Sequence, residues 1–254
     1  MLMLGVIQMN MLFNNPFIAH RGIYDNITIA ENSITAFNNA IKQNYAIELD
    51  VQLTADNVPV VFHDRNLKRM TGVSGDITKM TLNEINELSL LSTNEHIMTL
   101  DETLRFINNR VGVLIDLKIE SFNYRQLNDI VKILNQYNGE YAVQSFNVLA
   151  IKWLRKKYSN INSGVLISKF ENDLFNPPRL FFKKMALKLV DVIKFCNPCF
   201  LSYERNLLPN KKANHYLKLG YPILAWTIKS QKEYEKVKPY CTNIIFENFN
   251  PSEF

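Results

Sequence analysis

The fold is indicated first by residues 46–53, AIELDVQL, in which apolar and polar residues alternate. Successive side chains of a β-strand point to opposite faces. The polar face of this stretch holds Glu48, Asp50 and Gln52, and the apolar face holds Ile47, Leu49 and Val51. In a barrel of parallel strands, the apolar face packs against helices and the acidic face points to the interior.

Strand-like runs alternate with helical patterns along the rest of the chain. Besides 46–53, the predicted strands cover residues 16–20, 111–118, 141–146, 163–167, 190–195, 222–227 and 243–246. The predicted helices cover residues 32–42, 81–88, 101–107, 124–134, 148–157, 180–187, 210–219 and 231–238. Strict alternation favours a parallel α/β sheet, and eight such units in 254 residues have the size of a (β/α)8 TIM barrel. A doubly wound open sheet is the alternative, because periodicity does not show closure.

Two features depart from a plain barrel. A short apolar run at 58–62 predicts a short insertion after the second strand. Only eight residues follow Phe246, which predicts a truncated C-terminal end without a full last helix. Gly/Pro-rich linkers are absent, so we predict a single barrel domain over residues 1–254. Residues 1–13 are an uncertain N-terminal segment, because Met9 or Met11 can equally be the true start.

Composition excludes several classes of protein. Hydrophobic residues make up 47% and charged residues 21%, which is typical of a globular protein with a full core. Three cysteines are too few for a disulfide framework. The apolar N-terminal segment is shorter than the roughly 20 residues of a membrane span and lacks the features of a signal peptide, so we expect a cytoplasmic location. The net charge of +5 suits an anionic substrate, but the basic residues are too scattered for a nucleic-acid surface.

Common site motifs are missing from the sequence. It contains no G-x-S-x-G, no P-loop, no G-x-G-x-x-G and no H-E-x-x-H, which argues against serine hydrolases, P-loop enzymes and Rossmann enzymes. Cys196 and Cys199 have the C-x-x-C spacing but no second pair, so we interpret them as two thiols near a strand end.

The negative charges of the inward carboxylates in residues 46–53 must be neutralised or paired if they are buried. Glu48 and Asp50 are costly to bury unless they gain a proton, a cation from elsewhere in the chain, or a metal ion. Ligands that are all oxygen favour Mg²⁺ or Ca²⁺ over Zn²⁺. The other interpretation is a solvated polar strand face.

Five further residues extend this constellation. Asp116 and Lys118 share one face of the predicted strand at 111–118, where Asp116 can complete a site of three carboxylates. The alternative there is an ion pair that braces the barrel interior. His20 and His63 end strand-like runs, which is where TIM barrels place catalytic groups. Two imidazoles can act as general base and general acid, and Arg21 can bind an anion.

An ordered set of short motifs carries a family resemblance. The motifs are H-R-G at 20–22, E-N-S at 31–33, E-L-D-V at 48–51, V-V-F-H-D at 60–64, L-K-R-M-T at 67–71, T-L-D-E-T-L at 99–104, I-D-L-K at 115–118, Q-S-F at 144–146 and A-W-T at 225–227. Over about residues 17–230, the chain resembles the glycerophosphodiester phosphodiesterases, which are (β/α)8 barrels that use a divalent cation.

The resemblance implies a role for each matched residue. The implied catalytic acid and base are His20 and His63. The implied ligands of one divalent cation, Mg²⁺ or Ca²⁺, are Glu48, Asp50 and Asp116. The implied substrate-binding residues are Arg21, Lys118 and Trp226. Glu31, in the position of the family's P-E-N motif, supports the site or adds a further ligand.

Three positions depart from the family pattern. Asp116 stands where the family has Glu, which draws the ligand back by one C–C bond, about 1.5 Å. Ala30 replaces the Pro of P-E-N, and Phe246-Glu247 stand where the last strand usually ends in Thr-Asp. These changes bear on metal affinity and substrate identity more than on the fold.

The expected function is the hydrolysis of glycerophosphodiesters to glycerol 3-phosphate and an alcohol. Two alternatives stay open, namely the same chemistry on a lysophospholipid or surface-polymer linkage, and a non-catalytic member that binds a phosphorylated ligand. The expected partner is a small phosphodiester, and the oligomeric state does not follow from the sequence. Residues 170–188 mix Phe with Lys and Arg, which indicates either a surface that contacts lipid headgroups or an ordinary packed helix. We favour the helix.

Overall fold

Eight parallel strands pair side to side and return to the first in this computed structural model. The structure describes residues 14–91, 93–119, 124–169 and 192–253. The strands are β1 (Phe17–His20), β2 (Ala46–Leu53), β3 (Pro59–Val61), β4 (Val113–Leu117), β5 (Tyr141–Ser145), β6 (Ser163–Ile167), β7 (Phe200–Glu204), β8 (Ile223–Ile228) and β9 (Asn243–Phe246). The parallel pairs follow the order β1–β2–β4–β5–β6–β7–β8–β9, and β9 pairs with β1. This closure confirms the (β/α)8 TIM barrel and excludes the open sheet.

Helices connect the strands on the outside of the barrel. They are α1 (Ile34–Lys42), α2 (Lys68–Thr71), α3 (Leu82–Asn86), α4 (Leu100–Ile107), α5 (Tyr124–Gln136), α6 (Val148–Lys157), α7 (Val192–Cys196), α8 (Lys211–Lys218) and α9 (Gln231–Val237). Polar side chains begin several of them, as where the Ser33 hydroxyl accepts the Ala36 N–H at 3.2 Å. None of these described helices combines the length and apolar character that crossing a bilayer requires. After β9 the described chain forms only a 3-10 turn, Pro251–Glu253.

An insertion follows the second strand, as predicted, but it is longer than expected and fills the chain between β2 and α4. Strand β3 opens it by pairing antiparallel with β2, with Val61 opposite Val51. Its own small core consists of Ala30, Val60, Phe62, Leu67, Met70, Ile77, Ile85, Leu90 and Ile97. This core holds β3, α2 and α3 together beside the C-terminal end of β2, where β3 pairs with it.

The barrel interior is apolar where the strands begin and polar where they end. The apolar layer consists of Ile18, Ala46, Leu114, Ala142, Cys199, Phe200, Leu224 and Ile245. Gly164 faces this layer, and a Cβ added there would lie 2.4 Å from the ring of Phe200. The aromatic ring therefore fills the space that the glycine leaves, and the polar residues lie above a packed floor.

One predicted element is wrong. The pattern at residues 190–195 predicts the sixth strand, but Val192–Cys196 is the helix α7, and the strand β7 follows at Phe200–Glu204. The Cys196 thiol donates to the Val192 carbonyl at 3.1 Å, as a helical spacing requires. A run of five mostly apolar residues fits either a strand or a buried helix, and periodicity cannot separate them.

Other sequence predictions lie outside the described residues. The predicted helix at 180–187 and the basic, aromatic stretch at 170–188 fall in the gap at 170–191. The single-domain prediction for residues 1–254 stays a prediction, because several ranges of the chain are not described.

Candidate active site

Polar side chains from neighbouring strands converge at the C-terminal rim of the barrel. His20 ends β1 and lies in register with Glu48 on β2, and Asp50 lies in register with Asp116 on β4. Glu247 directly follows β9, which pairs with β1. Closure of the barrel therefore brings the residues of four strands into one site.

Three carboxylates form the acidic cluster, which we define as Glu48, Asp50 and Asp116. One oxygen of each lies within 4.8 Å of the others, and all three residues are buried, with exposed fractions of 4% or less. Because like charges lie close together away from water, each carboxylate disfavours the ionisation of its neighbours.

The pKa values of the cluster reflect burial first and the charges of neighbouring groups second. Burial, followed by the charges of Asp50 and Asp116, raises the pKa of Glu48 well above its ordinary value. Burial also raises the pKa of Asp116, against the opposing effect of Lys118. Burial pushes the pKa of Asp50 up, but Lys118 and other nearby positive groups outweigh it, so that pKa is lowered.

Two cations and one amide hold the cluster. The Lys118 ammonium lies 3.0 Å from Asp50 Oδ1 and 2.5 Å from Asp116 Oδ2. Arg21 Nε lies 3.0 Å from Asp50 Oδ2, which also accepts a hydrogen bond from Asn32 at 3.0 Å. Glu48 accepts the Arg21 backbone N–H at 3.2 Å, but within the described residues it forms no ion pair with a lysine or arginine side chain.

The cluster fits a divalent cation. Asp116 Oδ1 is buried and has no hydrogen-bond partner among the described residues, although an unpaired buried carboxylate oxygen is costly. A bound cation would favour the ionised form of Glu48 and Asp116 and so oppose the effect of burial that raises both pKa values. The donor set is all oxygen, which suits Mg²⁺ or Ca²⁺. The shorter Asp116 side chain still reaches the cluster, because β4 places it directly beside Asp50.

His20 is held by a carboxylate from the last strand. Its Nδ1 lies 2.5 Å from Glu247 Oε2, and its Nε2 lies 4.0 Å from Glu48 Oε2, so Nε2 faces the acidic cluster. Glu247 also accepts the Tyr24 hydroxyl at 3.0 Å and pairs with Lys229 at 2.6 Å. Burial lowers the pKa of His20, and its hydrogen bond to Glu247 opposes that shift.

His63 has a carboxylate partner of its own. Its Nδ1 lies 2.7 Å from Asp64 Oδ1, and a third of its side chain is exposed. Gln52, the third polar residue of β2, donates to the carbonyls of His63 at 2.9 Å and Asp64 at 2.7 Å. The inward face of β2 thus anchors the H-D segment to the barrel.

Glu31 lies outside the acidic cluster and contacts guanidinium groups. Its oxygens accept from Arg21 at 2.8 Å, from Asn26 at 2.6 Å and from Arg69 at 2.6 and 3.0 Å. These contacts place Glu31 behind Arg21 rather than among the carboxylates that can ligate a cation. Ala30, in place of the family's Pro, is fully buried in the core of the insertion.

The turn after β1 depends on left-handed backbone. Arg21 has φ 58° and Gly22 has φ 83°. A Cβ on Gly22 would lie 2.7 Å from the carbonyl carbon of Ala36 in α1. Glycine is therefore the residue that lets the chain turn close to α1 while Arg21 points back to Asp50.

Two cavities open at this rim, one beside each histidine. The first cavity has a volume of about 480 Å³, and its lining includes His63, Lys118 and Phe146. The second cavity has a volume of about 460 Å³, and its lining includes His20 and Arg21. Trp226, predicted to bind substrate, contacts the ring of Phe146 edge-on at 5.8 Å and donates its indole N–H to the Ser202 carbonyl at 3.0 Å.

Three residues enter the site for which the sequence predicts no role. Glu247 stands out in the sequence only as a departure from the family pattern, and Arg69 lies in a matched motif that implies no function for it. Tyr24 carries no local signal, because it becomes relevant only through its contact with Glu247, 223 residues away.

Comparisons with known proteins agree on one family. The sequence model of the Glycerophosphoryl diester phosphodiesterase family matches residues 20–249. The Bacillus subtilis (strain 168) protein YhdW is 30% identical over 87% of this chain and 89% of its own length. The glycerophosphodiester phosphodiesterase of Caldanaerobacter subterraneus subsp. tengcongensis is 28% identical over 87% of this chain and 88% of its own length.

A solved structure shares the fold. The phosphodiesterase OLEI02445 of Oleispira antarctica, in complex with the product sn-glycerol-3-phosphate, superposes with a TM-score of 0.75. The two sequences are 24% identical, and the superposition covers 91% of this chain and 92% of the Oleispira chain. The chain therefore belongs to the glycerophosphoryl diester phosphodiesterase family, and it is an enzyme of the phosphodiesterase class that gives the family its name.

Proposed function

We propose that the enzyme hydrolyses glycerophosphodiesters to glycerol 3-phosphate and an alcohol, with His20 and His63 as the acid and base. The observation that carries the proposal is the pair of imidazoles at one rim, each held by a carboxylate through Nδ1. A carboxylate at Nδ1 fixes the tautomer and leaves Nε2 to exchange protons with the substrate.

Glu48, Asp50 and Asp116 are the residues that would hold a divalent cation in this proposal. The cation, when bound, supplies positive charge to a phosphodiester oxygen and helps to neutralise the charge that develops there. The three carboxylates converge within 4.8 Å, and Asp116 Oδ1 has no other partner in the described part of the chain. Mg²⁺ and Ca²⁺ are both compatible with oxygen ligands.

The cationic side chains Arg21 and Lys118 bind the phosphate in the proposed complex. Both already lie beside Asp50, at 3.0 Å each, so an anion at the acidic cluster is within reach of both. Their positive charge stabilises the dianionic character of the transition state. One histidine removes a proton from the nucleophile, which is water or the neighbouring glycerol hydroxyl, and the other protonates the leaving alkoxide. Attack by water gives glycerol 3-phosphate directly. Attack by the glycerol hydroxyl gives a transient cyclic phosphate, which a water then opens to glycerol 3-phosphate.

The two cavities support a substrate with two alcohol arms. A phosphodiester at the acidic cluster would direct one arm past His20 and the other past His63, where the cavities of about 460 and 480 Å³ lie. The Oleispira structure is a complex with the product sn-glycerol-3-phosphate, which supports glycerol as one of these arms.

Product analysis tests the proposal. Metal-stripped enzyme is incubated with glycerophosphocholine and with glycerophosphoglycerol, with and without Mg²⁺ or Ca²⁺, and glycerol 3-phosphate is measured. Metal-dependent release of glycerol 3-phosphate is the expected result. Release of phosphocholine would contradict the predicted bond cleavage, and full activity in excess chelator would contradict the role of the cation. Turnover of a lysophospholipid alone would favour the alternative substrate class.

A further inference from the structure

Arg69, in helix α2 of the insertion, has contacts that the proposed chemistry leaves unexplained. Its Nε lies 2.6 Å from Asp64 Oδ2, and its two terminal nitrogens lie 2.6 and 3.0 Å from the two oxygens of Glu31. The side chain is 44% exposed, whereas Glu31 is 4% exposed. One guanidinium therefore joins two carboxylates through three charge-assisted contacts, an arrangement that lysine cannot reproduce.

These contacts complete a series of ion pairs and hydrogen bonds across the rim. In order, its members are Asp50, Arg21, Glu31, Arg69, Asp64 and His63. Each successive pair is separated by 3.0 Å or less. The series begins in the acidic cluster and ends at the second histidine, and Arg69 is its central link.

We propose that Arg69 is a positioning residue for the hydrolysis, because it holds the phosphate-binding Arg21 and the histidine His63 in place at the same time. The inference rests on the proposed function, and none of the described contacts of Arg69 involves the acidic cluster.

On one side, Arg69 limits the pull of Glu31 on Arg21. Glu31 Oε1 accepts from Arg21 Nη1 at 2.8 Å and from Arg69 Nη2 at 2.6 Å. Without Arg69, Arg21 is the remaining cation in the described contacts of Glu31. The carboxylate would then draw Arg21 toward itself, away from Asp50 and from a phosphate beside it.

On the other side, Arg69 fixes the plane of the Asp64 carboxylate. Asp64 Oδ2 binds Arg69 Nε, which aims Oδ1 at His63 Nδ1. Asp64 is a quarter exposed, so without the guanidinium its carboxylate is free to rotate toward water. His63 would lose the partner that sets its ring orientation.

Kinetics of three variants test the inference. We expect Arg69→Ala to lower kcat by about 10²-fold, the effect of a misplacement of about 1 Å in a catalytic group. Arg69→Lys should recover only part of this loss, because an ammonium reaches one carboxylate at a time. Arg105→Ala is the matched control, since Arg105 also forms an ion pair at 2.6 Å, with Asp101, but lies on α4 and is 77% exposed; its kcat should stay within twofold of wild type.

Chemical rescue separates positioning from general stability. Guanidinium ion at millimolar concentration should raise kcat of Arg69→Ala at least threefold and leave wild type and Arg105→Ala unchanged. A kcat of Arg69→Ala within threefold of wild type would overturn the inference. Loss of activity without rescue, together with a Tm several degrees lower than that of wild type, would also overturn it and assign Arg69 a structural role.

A readout without substrate distinguishes failure of the inference from failure of the proposed function. If wild type releases no glycerol 3-phosphate, the proposed function fails, and the ¹⁵N resonances of the His63 ring then decide the role of Arg69. Arg69→Ala should shift or broaden the Nδ1 resonance of His63 and leave that of His20 in place. Unchanged His63 resonances would refute the positioning role.

Discussion

Replacement of Glu247 by glutamine tests the contact that holds His20. The change keeps the shape of the side chain and removes its charge. The carboxylate lies 2.5 Å from His20 Nδ1 and is 9% exposed, so little water is available to replace it. An amide in the same place either keeps the tautomer without the charge, or turns its NH₂ toward Nδ1 and forces the wrong tautomer.

The expected magnitude follows from the kind of hydrogen bond that is lost. A hydrogen bond to a charged group contributes about 1.5–3 kcal/mol. Since about 1.36 kcal/mol of activation free energy corresponds to tenfold in rate, we expect kcat of Glu247→Gln to fall by roughly 10- to 150-fold. The ion pair with Lys229 adds little to this figure, because Lys229 is half exposed.

The assay is steady-state release of glycerol 3-phosphate by folded, metal-loaded enzyme. Glu247→Asp should keep more activity than Glu247→Gln, because it retains the charge while retracting it by about 1.5 Å. Glu204→Gln is the control, since Glu204 lies on the same rim at the end of β7 but contacts Lys169 and Asn206 instead of a histidine. A kcat of Glu247→Gln within threefold of wild type, with unchanged Tm, would refute the reasoning.

Three further predictions concern the site and its supporting turn. His20→Ala and His63→Ala should each lower kcat by about 10²- to 10⁴-fold in the same assay, and near-normal turnover of either variant would remove that histidine from the acid–base pair. Mg²⁺ or Ca²⁺ at about 100 times its Kd should raise the free energy of unfolding of wild type by about 2.7 kcal/mol, and thus its Tm. Asp116→Asn should show a much smaller rise in Tm. Equal rises in the two proteins would contradict the metal site. Gly22→Ala should cost at least about 2 kcal/mol in denaturant unfolding, because it combines a positive φ with a clash against the backbone of α1. Gly72→Ala should cost less, because Gly72 has a positive φ but a Cβ added there would meet no atom beyond its chain neighbours within 4 Å. An equal cost of the two substitutions would show that the clash at Gly22 is relieved.

Much of the barrel is predictable because its strands carry local signals. Residues 46–53, 163–167 and 243–246 form strands with the predicted bounds. In each, the strand is bounded by turn residues or by a change of pattern, so local sequence decides its ends. The helix at 148–157 is predictable for the same reason, since Asn147 caps its first turn.

The strand wrongly predicted at residues 190–195 shows what local sequence cannot decide. Val192–Cys196 and Phe200–Glu204 are both short and largely apolar, and they lie a few residues apart. Which of them joins the sheet depends on pairing with β6 and β8, a tertiary choice that periodicity does not record.

The difference between local and tertiary signals also explains which contacts of the site are predictable from the sequence. Glu48 with Asp50, and Asp116 with Lys118, are recognisable in the sequence because neighbours at i and i+2 share a strand face. The contact of Glu247 with His20 spans 227 residues and that of Arg69 with Glu31 spans 38. Such contacts depend on which strands become neighbours and on how the insertion folds back, so no local pattern predicts them.

The pairing of β1 with β9 has a consequence for synthesis of the protein. Ribosomes deliver the chain from its N-terminus, so His20 emerges long before Glu247 does. A nascent chain that ends within β8 already contains the three carboxylates and both histidines, but His20 has no carboxylate at Nδ1 and the ring of strands is open. Hydrolytic competence would then arrive late and abruptly, with the last strand, and unfinished chains would be unable to act on phosphodiesters around them.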